Sequence, residues 1–438
     1  MSRPGTSAGH VVPEGTQGMD GRVRKAMASA AARVRRWPWW AQVASVYAAA
    51  RIASACIFMA AALHQGVNPW FPAKPDYWNF INIWDARWYG EVLLNGYPSQ
   101  LPMDESGNVQ ENAWAFYALF PLLGRAVTAM TGLNPALALT FIAMASGLGA
   151  ALVVYRLFRE KATHRTAMWA VAFFSTFPVA AVLQVPYAES LNLLLLASAL
   201  LLVVQRRYWW AMPVVVLMCL SRPTGVPFAA MAGGLLAYRL WQRRRPDYGR
   251  PDAPRPAARG SRAGVPHSGR ELLALAALAG VSGLGALMWP AIAWAVTGDA
   301  AAYTKTETVW RGHDLVPFKP WFDTGIQLFG PVLGVLAPFV FVAVFGLVMT
   351  STPVVALGAE LRLWCVCYMG YLLVFLHPQT STFRMLLPLF PLALGAALVS
   401  RSKAYRGTVV VMFLLLQIVW IVWLWAWAQL PGGGDYPP

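Results

Sequence analysis

An acid set among aromatic rings marks the run Ile83-Trp84-Asp85-Ala86-Arg87-Trp88-Tyr89-Gly90, just beyond the first long apolar segment. Trp and Tyr favour the membrane interface, and their faces can hold a sugar or a lipid. If the run is helical, Asp85, Trp88 and Tyr89 share one face at i, i+3 and i+4 spacing. Asp85 is therefore the candidate general base, and Trp84, Arg87, Trp88 and Tyr89 are candidate substrate contacts. The competing reading is an aromatic belt that happens to carry an acid.

Further along the chain, the polar residues that break otherwise apolar sequence are few. They are Glu189 beside Tyr187, Arg222 within Ser221-Arg222-Pro223-Thr224-Gly225, the loop 298–325 with Lys305 and Trp310, and the stretch from His377 to Arg384. Charges at or in a membrane are costly unless they build a site, so their convergence on one side argues for one. A guanidinium binds phosphate oxygens bidentately and stays charged when buried, which makes Arg384 and Arg222 candidates to hold a phosphate, with Lys305 as a third. A base plus phosphate-binding cations suits transfer of a group from a lipid phosphate donor to an acceptor hydroxyl. Each residue also has a plainer reading: Glu189 as a helix cap after Pro186, Arg222 as an interface anchor, His377 as a structural histidine. The chain has no Gly-rich phosphate loop after a strand, no HExxH or Cys/His cluster and no Gly-x-Ser-x-Gly elbow. No cofactor or metal is expected, a divalent ion at Asp85 and Glu91 being the alternative.

The elements that must position these residues follow from composition. The 438 residues are 58% hydrophobic and 12% charged, with mean hydropathy +0.48, more apolar sequence than a single soluble core can hide. An all-α polytopic membrane protein is the expected class. The net charge of +16 comes largely from Arg clusters between apolar segments, a topology signal that implies anionic lipid contact and no nucleic acid. Arg51, in the middle of the first span, should face the bundle interior, either a polar cavity or an interhelical partner.

Hydropathy places about eleven spans, near 41–63, 135–157, 167–186, 188–205, 208–222, 225–241, 271–296, 326–350, 361–377, 383–400 and 408–429. Residues 1–36 read as a disordered basic cytoplasmic arm, 37–430 as one polytopic domain and 431–438 as a short outer tail. Within the domain, 64–134 is a long first outer loop, with interfacial helical sequence over 114–130. Residues 242–270 form an Arg/Pro-rich cytoplasmic loop, and 298–325 an outer loop. The Arg-dominated, Ala-rich composition fits a bacterial plasma membrane, with the N-terminus cytoplasmic and the site outside; an endoplasmic reticulum location is the eukaryotic alternative.

Taken in order, the motifs resemble those of the PIG-V family, the mannosyltransferases that add the second mannose in GPI-anchor synthesis, and their bacterial relatives. The resemblance rests on Trp84 to Tyr89 followed by Gly96-Tyr97-Pro98, on Ala115 to Leu122, on Pro186-Tyr187-Ala188-Glu189-Ser190-Leu191, on Ser221 to Gly225, and on Ser381-Thr382-Phe383-Arg384 before Pro388. It implies a GT-C glycosyltransferase fold and an inverting enzyme that uses polyprenyl phosphate mannose. Asp85 would be the loop acid, Arg384 and Arg222 would stand at the donor phosphate, and Tyr303, Lys305, Trp310, Pro317 and Trp321 would match an aromatic late loop. Ala86 replaces a frequent Gly, and Met385 stands where a Tyr often follows the Arg. The acceptor implied is a lipid-linked glycan or glycolipid, with room for a small membrane partner subunit. The alternatives are another donor such as polyprenyl phosphate arabinose, or a transporter or flippase for a lipid-linked sugar; a transporter should show inverted repeats and helices broken in mid-membrane.

Overall fold

The computed structural model describes residues 36–244, 268–311 and 316–429. The expected arm over 1–36 except its last residue, most of the loop 242–270 and the tail 431–438 lie outside the described residues. Those described form an all-helical chain, with one isolated bridge between Met103 and Val109. The helices are α1 (Trp39–Ala62), α2 (Tyr77–Ile81), α3 (Asp85–Asn95), α4 (Leu119–Thr131), α5 (Pro135–Arg159), α6 (His164–Thr176), α7 (Glu189–Val204), α8 (Tyr208–Cys219), α9 (Gly225–Arg243) and α10 (Gly269–Thr297). Then come α11 (Ala302–Arg311), α12 (Lys319–Thr350), α13 (Thr352–Val355), α14 (Ala359–Phe375), α15 (Thr382–Met385), α16 (Pro391–Val399) and α17 (Lys403–Trp420).

Five of these segments are long and apolar enough to cross a bilayer: α1, α5, α10, α12, and α17 together with the π-helical turn Ile421–Trp425; the bent pair 382–399 makes a sixth. The chain is a multi-pass membrane protein. Every expected span falls on a helix or a broken helix, but several are shorter than hydropathy implies. The apolar run 167–186 stops as α6 at Thr176, because Pro178 drives Phe177 out of helical geometry to ψ 144°. From there to α7 the chain runs through a 3-10 turn, Ala180–Gln184, that is fully buried. Irregular backbone at such depth needs donors from elsewhere. Arg51 supplies them from α1, bonding the carbonyls of Ala180 and Ser175, while the Tyr47 and Ser190 hydroxyls both reach the Leu183 carbonyl. Backbone carbonyls thus take the two terminal nitrogens of the mid-span guanidinium.

Two apolar runs turn back or bend instead of running straight. α12 reverses at Gly330 (φ 78°). Trp321 stacks on Phe341 with ring centroids 5.5 Å apart, and Phe322 meets Phe339 edge-on at 5.6 Å. Gly325 and Gly334 let the two limbs touch; a Cβ on Gly334 would lie 2.3 Å from the Ile326 Cα. The expected span 326–350 therefore straddles the turn of a helical hairpin, whose first limb is 319–329 and whose second is 331–350. The other break lies between α15 and α16, which meet at 74° across the Pro388-Pro391 region. Trp364 donates to the Pro388 carbonyl at 2.7 Å and Tyr368 to the Met385 carbonyl at 2.8 Å, so α14 holds the bend that carries Arg384.

The first loop folds onto the bundle. α4 lies over α3, where Arg125 donates to the Leu93 and Val92 carbonyls at the end of that helix. α11 docks on the same loop through Asn112 and Thr306 and through the paired Tyr117 and Tyr303 hydroxyls, 2.9 Å apart. Two charge clusters mark opposite ends of the bundle. One joins Lys161, Glu360, Arg239, Glu271 and Arg206; the other begins at Glu189. α7 separates them with 16 residues, a rise of about 24 Å.

Candidate active site

Asp85 is the first residue of α3, where a carboxylate is favoured by the helix dipole. It is set there by a strained neighbour: Trp84 has φ 57° and ψ −130°, a conformation that costs a bulky residue about 1–3 kcal/mol. Two contacts hold Trp84 in place. Its indole N–H donates to the Trp425 carbonyl at 2.9 Å, and its ring lies edge-on to Trp70 at 5.1 Å. The Asp85 N–H in turn donates to the Tyr187 hydroxyl at 3.2 Å.

Glu189 opens α7 shortly after Val185, which Pro186 holds extended at ψ 159°, and it is 5% exposed. Arg222 lies in the turn between α8 and α9. The close approach of that turn to α10 needs Gly225, whose Cβ would fall 3.0 Å from the Ala286 Cβ. Arg384 comes from α15, at the break. These four side chains, from four separate segments, form one linked group. Arg384 Nη1 binds Asp85 Oδ2 at 2.5 Å and Glu189 Oε1 at 2.9 Å, and Arg222 Nη1 binds the same Glu189 oxygen at 2.8 Å. The Arg384 guanidinium also lies over the Tyr187 ring, 5.2 Å from its centroid. Two carboxylates and two guanidiniums balance, which is what allows so many charges to be buried together. Glu189 Oε2 and Arg384 Nε are buried without a hydrogen-bond partner.

The group faces a cavity of about 170 Å³. One wall is polar: Asp85, Glu189, Arg222 and Arg384, continued by Asn192, Ser221 and Thr224. Aromatic and apolar side chains also line the cavity, among them Phe116, Trp310, Tyr371, Leu372 and Phe375, together with His377. Tyr89 lines the cavity too, and burial pushes its phenol above the ordinary range, so it is a neutral donor there. Trp310 meets Trp88 and Phe116 edge-on, and its indole N–H is buried without a partner.

Of the residues singled out in the sequence, Asp85, Tyr89, Glu189, Arg222, Trp310, His377 and Arg384 line this cavity. Tyr187 and Trp88 stand behind it, the first under Arg384 and the second stacked on Phe116 at 5.5 Å. Three others lie elsewhere. Trp84 points away and pins the loop to Trp425. Arg87 is on the exposed face of α3. Lys305 pairs with Asp299 at 2.6 Å and is 49% exposed, so it does not reach the cavity. Glu91, the alternative metal partner of Asp85, bonds Asn95 on the exposed face. Among the described residues no group of three or more His, Cys, Asp or Glu side chains is placed to hold a metal ion.

Asn192, Tyr368 and Tyr371, which the sequence did not single out, also line the cavity, as does Glu307, which in sequence reads as part of a solvated loop face. Two of them had a usable signal. Asn192 is three residues after Glu189 and Glu307 three before Trp310, and residues at that helical spacing share a face.

No family model matches the chain, and no curated protein matches it significantly. Among solved structures it is similar to the oligosaccharyltransferase of Archaeoglobus fulgidus tethered to an acceptor peptide, at 13% identity and TM-score 0.40 over 86% of this chain and 54% of that one. It is similar also to the oligosaccharyltransferase AglB of the same archaeon bound to an inhibitory peptide and a dolichol-phosphate, at 13% identity and TM-score 0.40 over 86% and 55%. The chain spans about half the length of these proteins.

Proposed function

We propose that this chain is a membrane glycosyltransferase of the GT-C class that moves mannose from polyprenyl phosphate mannose to a hydroxyl of a lipid-linked glycan or glycolipid. The observation that carries the reading is the linked group of Asp85, Glu189, Arg222 and Arg384, in a cavity also lined by aromatic and apolar side chains. A phosphate-bearing lipid meets the guanidiniums with its head and the apolar side chains with its tail. The motif resemblance to the PIG-V family supports mannose as the sugar.

In this reading the donor phosphate takes Arg384 and Arg222 as partners, and Arg384 loosens its hold on Asp85. The freed carboxylate accepts the proton of the acceptor hydroxyl, whose oxygen attacks the anomeric carbon from the face opposite the phosphate. A bond forms between that oxygen and C1, the C1–O bond to phosphate breaks, and polyprenyl phosphate leaves with its charge held by the two arginines. The configuration at C1 inverts, and the proton remains on Asp85 until solvent removes it. General-base assistance of this kind contributes about 10²–10⁴ in rate. No resident cofactor enters these steps. The Arg and Lys cluster at the far end of the bundle is the cytoplasmic side by the positive-inside rule, which turns the cavity outward, in a bacterial plasma membrane. Anionic lipids and a small membrane subunit are further partners in this proposal.

A second reading is a transporter for a lipid-linked sugar, favoured by the break between α15 and α16 beside Arg384. The two separate in one assay. Membranes containing the chain are given polyprenyl phosphate carrying labelled mannose. Label that appears in a new lipid product supports transfer; label that changes leaflet but stays on the donor supports transport. Transfer from the arabinose donor in place of mannose would correct the sugar alone.

A further inference from the structure

Glu189 and Asn192 are three residues apart on the first turns of α7, share a face, and both line the cavity. Each has one acceptor oxygen left to offer. Glu189 Oε1 is occupied by both guanidiniums, and Oε2 is buried with no partner. Asn192 is 1% exposed and commits both amide hydrogens, to the Ser221 hydroxyl at 2.9 Å and the Thr224 hydroxyl at 3.0 Å. Those hydroxyls donate onward, to the carbonyls of Met218 and Arg222. This arrangement fixes which way the amide points, so its carbonyl oxygen is what it presents to a ligand.

A pair that offers only acceptors suits a ligand rich in donors. An ionised phosphate has none, and it belongs instead with Arg222 and Arg384 on the neighbouring stretch of the same wall. We infer that Glu189 and Asn192 form a hydroxyl-reading subsite, which accepts hydrogen bonds from neighbouring hydroxyls of the donor's sugar ring and decides which sugar is used. This rests on the glycosyl-transfer reading and adds to it a division of the wall into a phosphate end and a sugar end. A site built to bond a hydroxyl rejects the analogue that lacks it, because its own buried acceptor is then left unpaired.

The test uses the full chain with polyprenyl phosphate mannose and a series of donors each lacking one sugar hydroxyl, in wild type and in Asn192→Ala. Wild type should lose about tenfold or more in kcat/KM for at least one deoxy donor. In Asn192→Ala that penalty should vanish at one position and persist at the others, where Glu189 still reads. Binding of polyprenyl phosphate, which has no sugar, should be the same in both proteins, showing that the variant folds and keeps its phosphate end. The inference is overturned if Asn192→Ala retains the whole deoxy pattern, or if it weakens polyprenyl phosphate as much as the sugar-bearing donor. Failure of the functional reading looks different. The wild-type chain then transfers sugar from none of the donors, the full-hydroxyl one included, and the inference falls with it.

Discussion

Replacing Glu189 by Gln removes one charge and almost no volume from the centre of the site, and its cost can be worked from the geometry. One oxygen of Glu189 holds Nη1 of Arg222 at 2.8 Å and Nη1 of Arg384 at 2.9 Å, so the two cationic nitrogens are at most about 5.7 Å apart. At an effective dielectric of about 20 their repulsion is about 3 kcal/mol. Breaking a buried pair costs about 3–5 kcal/mol. Arg384 keeps Asp85, so the loss falls on Arg222, whose remaining bond is to the Met385 Sδ at 3.3 Å. Arg222 is 16% exposed to the cavity, and water there places the cost near the low end, about 3 kcal/mol. Two routes therefore agree. Thermal melting in detergent should show Glu189→Gln clearly less stable than wild type. Adding polyprenyl phosphate should raise its melting temperature by more than it raises that of wild type, because the ligand's charge stands in for the missing carboxylate. Equal melting of the two proteins, or a smaller ligand shift in the variant, would refute the electrostatic account.

Arg384→Lys keeps the charge but loses the planar fork, and the missing charge-assisted bond, worth about 1.5–3 kcal/mol, should raise the donor KM roughly ten- to a hundredfold; an unchanged KM would move the phosphate elsewhere. Lys305→Ala should leave donor KM within about twofold, since the side chain is half exposed and paired with Asp299 away from the cavity. A large rise there would restore Lys305 to the site. Gly334→Ala puts a Cβ 2.3 Å from the Ile326 Cα, a clash that backbone cannot relieve, so overpacking of about 1–3 kcal/mol should open the α12 hairpin. Cross-linking between Trp321→Cys and Phe341→Cys reads this directly; undiminished cross-linking in Gly334→Ala would contradict it.

Much of the site was legible because charge in apolar sequence is rare and expensive. Asp85, Glu189, Arg222 and Arg384 could each be picked out one by one, and the structure brings all four together. Their mutual pairing was not legible, since nothing in a run of residues says that one carboxylate oxygen will bridge two distant arginines. Asn192 was missed because an amide in a Leu-rich helix looks incidental until the hydroxyls of Ser221 and Thr224 are found beside it. The helices were well placed by hydropathy, and their breaks less so. Hydropathy is blind to direction, so the reversal at Gly330, inside apolar sequence, read as a straight span. Trp84 misled for a related reason: an aromatic beside an acid suggests a substrate platform, yet its strained backbone turns the ring to Trp425, and of the two neighbours it is Asp85 that lines the cavity.

The proposal stands or falls on what Asp85 does. Transfer of labelled mannose from polyprenyl phosphate mannose into lipid should be compared between wild type and Asp85→Asn at matched expression, with donor KM determined for each. A general base predicts a loss of about 10²–10⁴ in kcat, while the variant still binds polyprenyl phosphate through Arg222 and Arg384. Transfer at the wild-type rate in Asp85→Asn would contradict the account and leave the carboxylate as no more than a partner for Arg384.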